Sequence, residues 1–216
     1  MKTSASRMEH NVLNYLESGL RISEDHRPEG YSWYSLAREQ TLELSRVSGL
    51  SHEHVGIIAS ATSRSCSVEE NFHRAAVYIR TGDVYFGGDY IRLLEERLKY
   101  GRGINTQTSP KVAAFADCIT QGDSDRIVVD RHAISLAIGE RVDTWTNKTR
   151  LAVTRAYQRV SRETGIVGSK VQSLSWVGYR VESLGMDPDS PLHYRNAFAD
   201  YYIADYFKKT TFTHDR

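Results

Sequence analysis

An all-α fold is the class this sequence predicts, and three observations carry the prediction. Prolines number only four in 216 residues. Apolar residues recur at helical spacing through most of the chain. The breaks between these periodic stretches are short and marked by Gly, Ser or Asp.

The elements follow in order. A first amphipathic helix is expected over 6–20, where Val12, Leu13, Leu16 and Leu20 recur on one face. A loop with Pro28 and Gly30 leads to a longer helix through Leu36, Leu42, Leu44 and Val47, closed by Gly49. Ser51 caps a short apolar helix with Val55, Ile57 and Ile58, and Ser67, with Glu69 and Glu70 behind it, opens another that ends at Gly82. Asp89 opens a helix carrying Leu93, Leu94 and Leu98 that stops at Gly101. Ser109 and Pro110 open the next. After a polar loop around Gly122 and the apolar run Ile127-Val128-Val129, Asp130 opens a further one. Residues 147–164 are strongly periodic, Ser169 caps a helix with Val171, Leu174 and Trp176, and a last helix over 190–208 is rich in Tyr and Phe. About ten helices then form one compact, bundle-like domain over 1–216, with room for two lobes around a cleft near 105–135.

Composition narrows the class further. Apolar residues make up 40% and charged residues 25%, as in ordinary globular proteins. No apolar run is long enough to span a membrane, and the start M-K-T-S-A-S-R lacks a signal-peptide core, so a cytoplasmic protein is expected. Cys66 and Cys118 are the only cysteines, which excludes a disulfide framework and a four-cysteine iron–sulfur cluster. H-E-x-x-H and C-x-x-C spacings are lacking, and Gly101-Arg102-Gly103 has neither the strand nor the Lys-Ser/Thr of a phosphate loop. Neither a metal nor another cofactor is expected.

Charge is uneven along the chain. Between 141 and 180 stand Arg141, Lys148, Arg150, Arg155, Arg159, Arg162, Lys170 and Arg180, against only Asp143 and Glu163, in a protein of net charge +1. Arg155, Arg159 and Arg162 share one helical face, opposite Ala152, Ala156, Tyr157 and Val160. Such a stripe is either a solvated face or a set of phosphate contacts, and Lys148 and Lys170 extend it. Next comes Gln172-Ser173-Leu174-Ser175-Trp176-Val177-Gly178-Tyr179-Arg180. Gln172, Trp176 and Arg180 share a face, and could hold a flipped base by stacking and edge hydrogen bonds. The same tryptophan could equally close the core.

Lys111-Val112-Ala113 begins one helix, and Val129-Asp130-Arg131-His132 leads into another, with Lys111 and Asp130 separated by 19 residues. Each residue alone could be no more than a solvated side chain or a helix cap. Together, their wording and spacing resemble the core of the helix-hairpin-helix DNA glycosylase superfamily, in which a lysine in K-V-A or K-T-A precedes V-D-x-H with the catalytic aspartate. The likeness covers about residues 103–140. Gly49 to Ala61, Val129 to Ala133 and Gln172 to Val177 also look like segments of uncharacterised phage-encoded members of that superfamily. The alpha-glutamyl/putrescinyl thymine pyrophosphorylases, which act on hypermodified thymines, belong to it as well. One departure is plain. The L-P-G-x-G hairpin that grips a DNA phosphate is replaced by Asn105-Thr106-Gln107-Thr108-Ser109-Pro110.

The resemblance implies an enzyme that cleaves or remodels the N-glycosidic bond of a modified base in DNA. Cleavage develops positive charge on the sugar, which a fixed carboxylate stabilises; Asp130 would supply it. Lys111, where the dipole of its own helix disfavours the charged ammonium, would attack the sugar and form a Schiff base. His132 would shape the pocket. Group transfer on a hypermodified thymine and inert nucleic-acid binding remain the alternatives.

Overall fold

A computed structural model describes residues 3–25, 29–63, 68–82, 91 and 109–187. These residues are all helical in their regular structure, with eight helices and no strand among them. In order they are α1 (Ala5–Asp25), α2 (Glu29–Ser48), α3 (His52–Thr62), α4 (Val68–Thr81), α5 (Pro110–Gln121), α6 (Arg131–Ile138), α7 (Asn147–Thr164) and α8 (Gly168–Glu182). They answer eight of the ten expected stretches. The helix expected over 190–208 lies outside the described residues, as do Ser67, the Gly101–Gly103 segment and residues 105–108; of the stretch 89–101 only Ile91 is described. No helix among the described residues is long and apolar enough to cross a membrane.

The chain forms two compact units, Met1–Leu36 with Gln121–Ser190, and Ala37–Thr120 with Pro191–Arg216, so the division falls within α2. The first unit packs α1, α6, α7 and α8. Met8, Val12 and Leu16 repeat every four residues along α1, and all three are buried with Ile134, Leu136, Val153, Tyr157, Val160, Val171 and Leu174. Each such side chain contributes roughly 1.5–3 kcal/mol of transfer free energy when fully buried. α1 and α8 cross with backbones almost touching. A Cβ on Gly19 would overlap the Leu174 carbonyl, and one on Gly178 would overlap the carbonyl oxygen of Tyr15. Only glycine permits this approach. Tyr15 and Tyr179 pack edge to face beside the crossing, with ring centroids 5.3 Å apart.

Caps set the ends of the helices in this unit. Asp130 opens α6 as expected, and Gly139 closes it in the left-handed region at φ 84°. Thr146 caps α7 through the Thr149 N–H at 3.1 Å, and Gly165 ends it. Ser169, expected as a cap, has another role. α8 begins at Gly168 without a side-chain cap, while the Ser169 hydroxyl accepts from the Ser124 N–H at 3.0 Å and its own N–H donates to the Ser124 carbonyl at 2.8 Å. Buried Ser124, in the loop between α5 and α6, needs partners for its backbone, and Ser169 supplies them.

The second unit, with the rest of α2 and α3 to α5, buries Leu44, Val55, Ile58, Phe72 and Ile119, and polar side chains add further joints. Ser51 caps α3 as expected, accepting from the His54 N–H at 3.2 Å. Thr41 on α2 is fully buried, its Oγ1 lying 2.8 Å from the Arg38 carbonyl, 3.0 Å from the Ile119 carbonyl on α5 and 2.7 Å from Nε2 of His52 on α3. One hydroxyl proton cannot serve three acceptors, so the contacts are compatible when Nε2–H of His52 donates to Oγ1 and the Thr41 proton is shared between the Arg38 and Ile119 carbonyls. Thr62 on α3 donates to Oδ1 of buried Asn71 on α4 at 2.7 Å. Where α3 meets α5, a Cβ on Gly56 would overlap the methyl of Thr120.

Candidate functional site

Residues 126–130 run irregularly into α6, with Ile127, Val128 and Val129 buried. Buried backbone outside a helix or sheet must find hydrogen bonds elsewhere. For Val128 the partner is Gln172 on α8, whose Oε1 accepts the Val128 N–H at 2.8 Å and whose Nε2 donates to the Val128 carbonyl at 2.7 Å. The Tyr34 hydroxyl donates to the same Oε1 at 3.3 Å. Gln172, a candidate for reading a base edge, holds the segment two residues ahead of Asp130 in a fixed position.

Asp130 is half-buried and extended, at φ −111° and ψ −172°. Its Oδ1 accepts the Ala133 N–H at 2.9 Å. Among the described residues, Oδ2 accepts no hydrogen bond and no cation pairs with the carboxylate. Behind it lies Tyr157 of α7, fully buried, whose phenol is pushed far up by burial, lowered by the Ser175 hydroxyl and raised again by the Asp130 charge. The Tyr157 hydroxyl makes no hydrogen bond of good geometry to any described group, and the nearby Ser175 hydroxyl donates to the Gln172 carbonyl at 3.1 Å. His132, two residues into the same helix start, is half-buried.

Trp176 and Arg180 come together as their spacing predicts. The Arg180 guanidinium lies over the Trp176 ring, 4.6 Å from its centroid, and Trp33 from α2 packs against the same ring at 5.1 Å and 60°. Arg180 is 6% exposed and directs Nε to the Met186 sulfur at 2.9 Å. The trio expected to hold a base is therefore engaged internally: an amide on backbone, a ring under a guanidinium. Trp33 and Tyr34 complete the group, and no local signal marks them, because their contacts bridge more than 130 positions of sequence.

Lys111 belongs to the second unit. Its Nζ donates to the Ser63 hydroxyl at 3.4 Å. Ser63 is the C-cap of α3. The ammonium thus stands at the carbonyl end of a neighbouring helix, where the dipole favours a cation.

Of the basic residues, Arg159 pairs with Glu9 at 2.9 Å, a residue of α1 far outside the 141–180 window. Lys170 pairs with Asp123 at 2.8 Å. Lys148, Arg155 and Arg162 are exposed and pair with no described acid. Among the described residues no group of His, Cys, Asp and Glu is placed to hold a metal ion.

The chain belongs to DUF7178, a family of unknown function, whose profile matches residues 1–183. The matched span contains Lys111, Asp130, Gln172 and the whole of α7. No curated protein and no solved structure matches the chain.

Proposed function

For this member of DUF7178 we propose a DNA base-processing enzyme of glycosylase type, acting on the N-glycosidic bond of a modified base, with Asp130 as its carboxylate. The observation that supports the reading is the division of labour within Asp130. Capping α6 takes Oδ1 alone. Oδ2 keeps its lone pairs and its share of the charge for a cation that develops nearby. An oxocarbenium-like sugar is such a cation, and a carboxylate held by helix, clamp and core needs no reorganisation to meet it. The Gln172–Val128 clamp gives that rigidity from one side and the packing of α6 from the other. Lys111 enters only a lyase branch, in which its amine, having lost a proton to solvent, leaves Ser63 and bonds to the sugar carbon as the N-glycosidic bond breaks and the base departs with a proton; opening of the sugar ring then gives the Schiff base.

One observation favours a nucleic-acid-binding protein without chemistry. Gln172, Trp176 and Arg180 are spent on internal contacts rather than on a base.

A single experiment separates the two. The protein is incubated with unmodified DNA and with DNA carrying hypermodified thymines, and released bases are identified by mass spectrometry. Release by wild type, lost at least about 100-fold in Asp130→Asn at unchanged Tm, is the expected result, since Asn still caps α6 but carries no charge. Release undiminished in Asp130→Asn removes Asp130 from the chemistry. Borohydride trapping of a protein–DNA adduct that disappears in Lys111→Gln decides the lyase branch.

A further inference from the structure

The exposed side of α7 carries something its charge alone does not explain. Among the described residues, Trp145 is the one aromatic among the exposed large hydrophobics, at 40% exposure, and Leu151 is 42% exposed. Trp145 stands immediately before the Thr146 cap of α7. Lys148, Leu151, Arg155 and Arg162 lie within one narrow stripe of that helix, since positions 0, 3, 7 and 14 recur on one face. The other face holds Val153, Ala156, Tyr157 and Val160 in the core. From Lys148 to Arg162 the stripe runs about 21 Å. Arg159 lies beside it, already engaged by Glu9 at 2.9 Å.

From this placement we infer that the exposed face of α7 binds single-stranded DNA. Trp145 stacks on an unpaired base, and Lys148, Arg155 and Arg162 follow the phosphates. The inference rests on the DNA reading above and names the strand state that reading left open. An aromatic ring in solvent at one end of a row of unpaired cations is the combination that single strands recognise. Every base has a face to stack, and the backbone supplies a regular line of charge. A duplex offers the charge but keeps its bases stacked on one another. A membrane surface is the poorer fit, because an interfacial helix inserts an apolar face, and the apolar face of α7 is inside the protein.

The test is fluorescence anisotropy with labelled oligo(dT) of about 15 nucleotides and a blunt hairpin duplex, across a salt series. Trp145→Ala is expected to weaken oligo(dT) binding about tenfold with the salt slope unchanged, and Trp145→Phe to restore most of it. Replacing Lys148, Arg155 and Arg162 together with Gln should lower the slope by about 2, at about 0.7 per contact on a single strand. Arg159→Gln should change it less. Since these side chains are exposed, each variant should keep the wild-type Tm, measured alongside.

Oligo(dT) binding that ignores Trp145, a preference for the duplex, or binding to phosphatidylserine vesicles without binding to DNA overturns the inference. Base release, scored on the same samples, tells its failure from that of the enzyme reading. Trp145-dependent binding without release from any DNA removes the enzyme and leaves this surface. Release with binding indifferent to Trp145 does the reverse.

Discussion

The unit that holds Asp130 and the unit that holds Lys111 are assembled by different means. In the first, α1 and α8 meet backbone to backbone at Gly19 and Gly178, and the core beside them is apolar. The second also buries an apolar core, with Leu44, Ile58, Phe72 and Ile119, and adds polar joints from Thr41 to His52 and Ile119, Thr62 to Asn71, and Lys111 to Ser63. A backbone contact cannot relax, whereas a hydroxyl can turn and a histidine can take up a proton. The comparison teaches where each unit is vulnerable: both depend on buried hydrogen-bond partners, the first is the more sensitive to added volume at its glycines, and the second holds the histidine joint that responds to pH. It also separates the two helix starts that share a sequence signature. Asp130 is fixed on a frame that does not give, and Lys111 completes a joint that does.

The largest effect should come from adding one methyl group to the backbone crossing. Gly178→Ala drives a Cβ into the Tyr15 carbonyl and should cost about 3 kcal/mol or more, whereas Gly56→Ala meets only the Thr120 methyl. There the better helix propensity of Ala, about 1 kcal/mol, offsets much of the strain. Equal losses for the two, measured by urea unfolding, would break the contrast between the units.

Gln172→Leu should cost about 2–4 kcal/mol, because both buried backbone groups of Val128 lose their partner at once. It should also reduce any Asp130-dependent base release together with stability, whereas Asp130→Asn removes release at unchanged Tm. A mild loss of stability, under about 1 kcal/mol, would mean that water replaces the amide.

Thr41→Val should cost about 1–2 kcal/mol by leaving a buried carbonyl unmet. It should also alter a pH dependence that belongs to the second unit alone. Burial, and then the charge of Arg38, lower the pKa of His52 below its usual 6.5. The unfolded chain therefore takes up a proton first as the pH falls. His52's contribution is complete above about pH 6.5 and is lost as the pH drops through its lower folded value. Unfolding midpoints compared at pH 7.5 and 5.5 should differ more for wild type than for His52→Gln.

The smallest effect is expected at Lys111. Lys111→Met should change stability by less than about 0.5 kcal/mol, since a half-buried amine with one long hydrogen bond holds little. A loss of several kcal/mol would make Lys111 a structural cation and close the lyase branch.

The sequence by itself determined the helices and their ends. Periodicity gave α1, α7 and α8, and caps gave the starts at Ser51 and Asp130 and the stops at Gly49 and Gly82, because these depend on neighbours a few residues away. It also showed which residues carry the charge of α7. Only the tertiary structure decided what those side chains do. Gln172 could read a base or clamp a loop, and an unpaired backbone more than 40 positions away chose the clamp. Arg159 lost its freedom to Glu9, Lys170 to Asp123, and Lys111 turned to Ser63, each a partner from outside its own helix. Hydrogen bonds and ion pairs are satisfied by whatever packing brings within about 3 Å, and no local pattern records that choice.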